Sequence, residues 1–231
     1  MRVLALDAAT EACSVALLDG ERLFARHEEF GKSHADRLLA MVEEVLAEAA
    51  LGLNALDGIA ASIGPGAFTG VRITVAVAQG LGFGAGLKIV PVSTLETLAM
   101  QLLQAQPGTA RVLACLDARM GEVYWGCYAA DALRGVRVTA AARVSAPGEV
   151  SLAAGLSHRG IGRGFSAYPA LADLPGLQVA AGDRLALPAA PALAQLGALR
   201  LRAGEARDAE DFAPLYLRDR VALTEAERAQ K

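Results

Sequence analysis

The segment with most potential for chemistry is GPGAFTG at Gly64–Gly70. Glycines just ahead of a helix expose several backbone N–H groups, which together with the positive end of the helix dipole can cradle an anion. The segment lacks the Lys-Ser/Thr ending of a phosphate-binding P-loop. It therefore reads first as a tight strand-to-helix turn capped by Thr69, with Arg72 leaving weak anion binding open. GIGRG at Gly160–Gly164 is too short and too poorly placed for a dinucleotide fingerprint. His27, His34 and His158 fall on a strand, at a helix start and in a loop, without metal-ligand spacing, and all three are expected at the surface. Cys13, Cys115 and Cys127 form no C-x-x-C pair and are expected as small buried hydrophobes. Ser, Cys and His never fall into a nucleophile–base constellation. The expectation is no catalytic residue, no metal site and no cofactor.

Composition narrows the classes further. The chain has 231 residues, 54% of them apolar and 20% charged, with 22 basic against 25 acidic side chains. Disordered chains have the opposite composition. A net charge of −3 gives no broad attraction to phosphate backbones, so if RNA is involved this chain is not its principal grip. Ile73 to Leu87 carries no charge, but it contains Thr74, Gln79 and four glycines and falls short of the roughly 20 apolar residues of a membrane span. Asp7 lies where a signal peptide would be most apolar, so a cytoplasmic chain that meets no membrane is expected.

The elements that must position these residues are legible in outline. Val3–Leu6, Cys13–Leu18 and Arg22–Phe30 alternate as strands, with Asp19-Gly20 as a hairpin turn. Ala35–Ala50 has helical period, with Leu38, Val42, Val45 and Ala49 on one stripe and Leu39 and Leu46 beside it. A buried strand at Gly58–Ile63, a helix at Gly70–Gly82, a strand at Lys88–Val92 and a helix at Ser93–Gln104 complete a βββαβαβα unit. A second unit then begins, with strands at Arg111–Leu116, Glu122–Tyr128 and Val136–Val144. A helix near Pro147–Leu156, a strand and turn at Gly160–Gly164, a short strand near Leu177–Ala180 and a helix at Ala189–Arg202 follow. Leu6-Asp7-Ala8 and Leu116-Asp117-Ala118 end the first strand of each unit, which favours an internal duplication. The expected fold is α/β and actin-like: a ribonuclease H-like lobe over 1–106 and a reduced one over 107–231. A nuclease is not expected. Two-metal chemistry needs several convergent carboxylates, and the strand at Gly58–Ile63 ends in Ser-Ile-Gly where the next is required.

Six segments carry a closer resemblance: LALDAATEACSVAL at Leu4–Leu17, KSHADRLL at Lys32–Leu39, GPGAFTGVRITVAVAQGL at Gly64–Leu81, PVSTLETLA at Pro91–Ala99, DARMGEVYWG at Asp117–Gly126 and PLYLR at Pro214–Arg218. In type and order they resemble the TsaB (YeaZ) family. That resemblance implies a non-catalytic subunit in bacterial synthesis of threonylcarbamoyladenosine beside the tRNA anticodon. The implied partners are a paralogous catalytic subunit (TsaD family) and a P-loop ATPase (TsaE family), with a homodimer when alone and tRNA met only through the complex. The catalytic paralogue holds a metal through two histidines of a V-N-H-M-E-G-H segment. The matching residues Val92–Leu98 put Thr94 and Leu98 in the histidine positions, which removes the ligands. The alternative class is a free-standing enzyme of the interlobe cleft, an ATP-dependent phosphotransferase or a peptidase.

Two sets of residues follow from the comparison. Asp7 and Asp117 stand where actin-like ATPases hold hydrated Mg²⁺. The turn at Asp7–Thr10 has no glycine, however, and Arg119 and Met120 crowd the approach beside Asp117, so strand-end caps are favoured over a working nucleotide site. Asp7, Thr10 and Asp117 are accordingly expected as a vestigial site. The helix beginning near Gly70 is apolar around its circumference and must be covered on every side. The family uses this helix and the preceding one in a helical bundle with the paralogue or with a second copy. Leu38, Leu39, Val42, Leu46, Val71, Val75 and Ala78 are the expected interface, with the direction of facing left open.

Overall fold

The computed structural model describes residues 1–29 and 34–218, and of residue 34 the backbone alone. Strands β1 (Arg2–Asp7), β2 (Ala12–Asp19) and β3 (Arg22–Glu29) form the expected meander, turned at Gly20 with φ +63°. Helix α1 (His34–Ala49), strand β4 (Gly58–Ser62), helix α2 (Phe68–Ala85), strand β5 (Ile89–Val92) and helix α3 (Thr94–Ala105) follow. The second half contributes β6 (Val112–Arg119), β7 (Glu122–Asp131), β8 (Gly135–Ser145), β9 (His158–Ile161), the single-turn helix α4 (Gly164–Ala167), β10 (Leu177–Gln178) and α5 (Ala190–Arg202). Phe30, assigned to the third strand from sequence, lies outside the described residues.

The two five-stranded sheets repeat one plan. Their orders are β3-β2-β1-β4-β5 and β8-β7-β6-β9-β10, and in each the first strand is antiparallel to the second and parallel to the fourth. The duplication suggested by two short tripeptides is thus visible in topology, and the architecture is the expected actin-like α/β fold.

Packing between the sheets follows from residue size. On one face of the first sheet, Leu4, Leu6, Val15 and Leu17 meet Leu38, Met41, Val42 and Val45 of α1 together with Val75 and Ala78 of α2. On its other face Val3, Ala5 and Ala60 receive α5. A Cβ on Gly197 would stand 2.3 Å from the Ala60 Cβ, so α5 lies on the sheet at a separation only glycine permits. Helix α3 packs instead on β6, β7 and β8 and against α5. The pair α3–α5 is therefore a layer shared by both sheets, and its leucines Leu95, Leu98, Leu102, Leu193 and Leu196 join the two halves in one core. Each such side chain contributes roughly 1.5–3 kcal/mol on burial.

Three sequence expectations are corrected. Thr69 is not the cap of α2: the helix starts at Phe68, Ala67 stands at the N-cap without a side-chain hydrogen bond, and Thr69 is exposed in the first turn. The turn does not need a side-chain cap, because its geometry is set by backbone contact with the β1–β2 turn. The helix at Pro147–Leu156 reduces to a 3₁₀ turn over Pro147–Glu149, which ends where Val150 becomes extended at φ −66° and ψ 124°. His158 is not at the surface. It is buried in the first position of β9, where burial holds its pKa below the ordinary histidine value.

Candidate functional site: the interlobe cleft and the α1–α2 face

The β1–β2 turn lies where each expected vestigial residue can be tested. Asp7 is buried, and its Oδ1 accepts the Ala9 N–H at 2.7 Å while Oδ2 has no partner at hydrogen-bond distance. Burial pushes its pKa up to about 7, with the Ala9 N–H and the nearby Ser62 hydroxyl offsetting part of the rise. The Ala8 N–H donates to Thr74 Oγ1 at 2.9 Å, and the Ala9 carbonyl accepts the Ala67 N–H at 2.7 Å. The Ala8, Ala9 and Ala67 amides are thereby already in use.

The glycines of GPGAFTG explain why. A Cβ on Gly66 would lie 2.0 Å from the Ala9 carbonyl oxygen, and one on Gly70 would lie 2.0 Å from that of Ala8. The loop is pressed onto the turn, so its glycines serve close backbone approach rather than anion binding. The second half repeats the device: Cβ atoms on Gly162 and Gly164 would stand 2.2 Å from the Cys115 carbonyl oxygen and 2.3 Å from its Sγ. GIGRG is the counterpart of GPGAFTG, a correspondence that sequence spacing alone did not disclose. Gly66→Ala is expected to cost about 3 kcal/mol, because the obstructing atom is backbone that cannot rotate away. Gly80→Ala, where an added Cβ meets nothing within 4 Å, should instead stabilise by about 0.5–1 kcal/mol. Urea unfolding of both variants checks the contrast, which equal shifts would contradict.

Asp117 lines the cleft proper. Its Oδ1 accepts the Arg119 backbone N–H at 2.8 Å, and its Oδ2 meets the Arg119 guanidinium at 3.0 Å. Arg119 and Met120 adopt φ of 61° and 56° in the hairpin turn. Glu11 reaches across from the first half to Arg119 at 3.2 Å and to Arg163 at 3.9 Å, while Arg163 also pairs with Glu29 at 2.7 Å. Glu11, Asp117, Arg119 and Arg163 bound a cavity of about 320 Å³ that Thr10 lines, its buried Oγ1 without a partner among the described residues, and that Asp7 does not.

These residues do not fit a hydrated Mg²⁺ and a polyphosphate. One carboxylate is covered and neutral below about pH 7, the other is neutralised by Arg119, and the Ala8 and Ala9 amides are engaged. Among the described residues no group of three or more His, Cys, Asp or Glu could hold a metal ion. In the segment matched to the paralogue's histidines, Thr94 hydrogen-bonds Ser62 at 2.9 Å and Leu98 is core. Ser93 and Glu96 there form a capping box for α3, and Glu96 also binds Arg200 of α5 at 2.7 and 3.0 Å.

The expected interface residues divide by burial. Leu38, Val42, Val71, Val75 and Ala78 lie buried within the chain itself, whereas Leu39 is 43% exposed and Leu46 half-buried. The outward side of α2 is formed by residues outside that set of seven: half-buried Ile73 and Val77, exposed Gly84, Phe83 at 64%, and exposed Ala76 and Gly80, which as small residues allow a neighbouring backbone close approach. Uniform hydrophobicity around α2 hid its orientation, and the signal that could have fixed it is the i, i+4, i+8 run of small residues Ala76, Gly80 and Gly84.

Comparisons with known proteins agree with this geometry. Residues 26–157 match the family model for TsaD, tRNA N6-adenosine threonylcarbamoyltransferase. The tRNA threonylcarbamoyladenosine biosynthesis protein TsaB of Escherichia coli K12 is 39% identical over 225 residues, covering 96% of both chains. YeaZ from Pseudomonas aeruginosa superposes with a TM-score of 0.85 at 39% identity, over 94% of this chain and 99% of that one. A second P. aeruginosa structure, described as similar to peptidase YeaZ, superposes equally well at 40% identity and the same coverage. The chain belongs to the TsaB (YeaZ) family of tRNA threonylcarbamoyladenosine biosynthesis proteins.

Proposed function

We propose that this chain is a non-catalytic subunit of a cytoplasmic tRNA threonylcarbamoyladenosine complex. Its α1–α2 face carries the paralogous catalytic subunit, and a P-loop ATPase of the TsaE family joins the assembly. The chain pairs with itself when the paralogue is absent and meets tRNA only within the complex. The observation that carries this is the outward side of α2, which has Arg72 as its sole charge in 18 residues and leaves Phe83, Ala76 and Gly80 uncovered. An apolar helix face of this kind marks an interaction surface. No helix of the described residues is long and apolar enough to cross a membrane, so a protein partner is the natural cover.

The chemistry of the remaining groups supports a non-catalytic role. Burial raises the Cys13 and Cys127 thiols to about 11 and the Cys115 thiol further, away from the thiolate a nucleophile needs. The Ser14 hydroxyl donates to Arg26 O and accepts the Ala190 N–H, and the Ser62 hydroxyl bonds Thr94, so both are spent on structural contacts. These features argue against a peptidase.

Three substitutions test the assignment by size-exclusion chromatography with co-expressed paralogue. Leu39→Glu should leave the circular dichroism spectrum intact while weakening association at least a hundredfold. Val75→Glu, at a position only 7% exposed, should unfold the chain instead, because an unpaired charge is then forced into the core. Retained association by folded Leu39→Glu and Ala76→Glu variants would refute the proposed face.

A further inference from the structure

At the N-terminal end of α2 the guanidinium of Arg72 lies between two aromatic rings. Its Cζ is 3.2 Å from the Phe68 ring centroid and 5.0 Å from that of Tyr216. Neither ring is packed away: Phe68 is 59% and Tyr216 54% exposed. Among the described residues no carboxylate lies within ion-pair distance of Arg72, whose one polar contact is to the Phe68 carbonyl at 3.1 Å. Arg119 and Arg218, which face the same place, are compensated by Glu11 and Asp117 and by Glu122 respectively. One planar cation with no ion-pair partner among the described residues therefore stands between two exposed rings.

Beside this stack is a predominantly apolar cavity of about 230 Å³, walled by Phe68, Arg72, Tyr124 and Tyr216. That is below the roughly 300–1,000 Å³ of sites that enclose whole small molecules, so it suits one planar ring system. Its position is held: the Leu215 N–H donates to the Ile63 carbonyl at 2.8 Å, and Arg218 donates to the Ala118 carbonyl at 3.0 Å, tying the Tyr216 segment to both halves of the chain.

We propose that this stack and cavity form a docking site for one unpaired base of an RNA, with Arg72 meeting the phosphate that follows it. Single-stranded bases are held by stacking on aromatic rings and guanidinium planes, an interaction that tolerates any base. A peptide segment would require a longer groove, and a free anion would have no use for the two rings. The net charge of −3 fits the same picture, since the chain offers one stacking contact and no extended backbone track. The inference rests on the tRNA-modification role and places a contact with the RNA on this subunit within the assembly.

The test uses the full chain, alone and assembled with the paralogous subunit, and an unmodified tRNA transcript carrying 4-thiouridine. Photocrosslinks mapped by mass spectrometry should fall on Phe68, Tyr124 or Tyr216. In fluorescence-anisotropy titrations of the assembly, Phe68→Ala and Tyr216→Ala should each weaken tRNA binding about tenfold, Arg72→Gln should weaken it and flatten the salt dependence, and Tyr216→Phe should bind as wild type. Unchanged affinity in both alanine variants, or crosslinks confined to the paralogue, would overturn the proposal. So would loss of the paralogue from the alanine variants with undiminished tRNA affinity, which would make the patch a protein contact. Threonylcarbamoyladenosine formation by the wild-type assembly is measured alongside. Its absence sinks the functional assignment itself, whereas normal formation with unchanged variant affinities sinks only the base-docking site.

Discussion

Asp7→Asn should stabilise the chain relative to wild type as pH rises, with the difference between the two growing by about 4 kcal/mol from pH 4 to pH 8. The sign follows from proton uptake. Burial lifts the Asp7 carboxyl from its ordinary 3.8 to about 7, so between those values the folded chain keeps a proton that the unfolded chain has released. Wild-type stability attached to this group is fully present below pH 3.8, falls through the interval, and is gone above pH 7. Asn does not titrate, and its carbonyl can still accept the Ala9 N–H that Asp7 Oδ1 accepts at 2.7 Å. Its amide nitrogen would take the place of Oδ2, which has no partner, so about 1–3 kcal/mol is surrendered at every pH. The pH-dependent difference is therefore cleaner than the absolute change. Urea titrations at pH 4, 5.5 and 8 measure it. A constant offset would mean that Asp7 is ionised throughout, as a carboxylate holding a cation would be. Assembly with the paralogue and tRNA modification should survive the substitution, and their loss would restore Asp7 to a working site.

How much of this was legible in sequence depends on what kind of force placed each residue. The stripe Leu38, Val42, Val45 and Ala49 predicted the buried side of α1, because a polar opposite side made the period unambiguous. Leu6-Asp7-Ala8 and Leu116-Asp117-Ala118 pointed to a duplication that two sheets of identical order display. Helix α2 is different: apolar all round, it carried no directional information, and the three interface residues selected on it, Val71, Val75 and Ala78, all turned inward. The placement of α3 and α5 was hidden for a related reason. What brings α5 onto the first sheet is the absence of a side chain at Gly197 opposite Ala60, and a missing Cβ leaves no periodic trace. The cleft was half legible. The poor phosphate turns could be read from DAAT and DARMG, but that Gly66 and Gly70 close over Ala8 and Ala9 is a long-range contact between backbones.

Arg200→Met should destabilise the chain by about 3–5 kcal/mol, and adding Glu96→Gln should recover most of that loss. Arg200 lies on α5, which packs on the first sheet, and Glu96 lies on α3, which packs on the second. Their two-pronged contact at 2.7 and 3.0 Å thus fastens the halves from within the shared helical layer, with side-chain exposures of only 8% and 15%. Burial alone would lower the Arg200 pKa, but the Glu96 contact outweighs it and the net shift is upward. Removing the cation leaves a carboxylate desolvated, still accepting the Ser93 N–H at 3.0 Å as part of the α3 cap, and with nothing to balance its charge. Glu96→Gln keeps an acceptor for that N–H while abolishing the charge, which is why the double variant should be far less damaged than Arg200→Met. A double-mutant cycle by urea unfolding gives the coupling directly, and additivity within about 0.5 kcal/mol would show that the contact is incidental. The location sharpens the meaning of the result. Glu96 belongs to the cap of α3 and Arg200 to α5, the two helices of the shared layer. A large coupling would show that this buried pair holds the two halves together, the rigidity a subunit requires if its task is to support a partner.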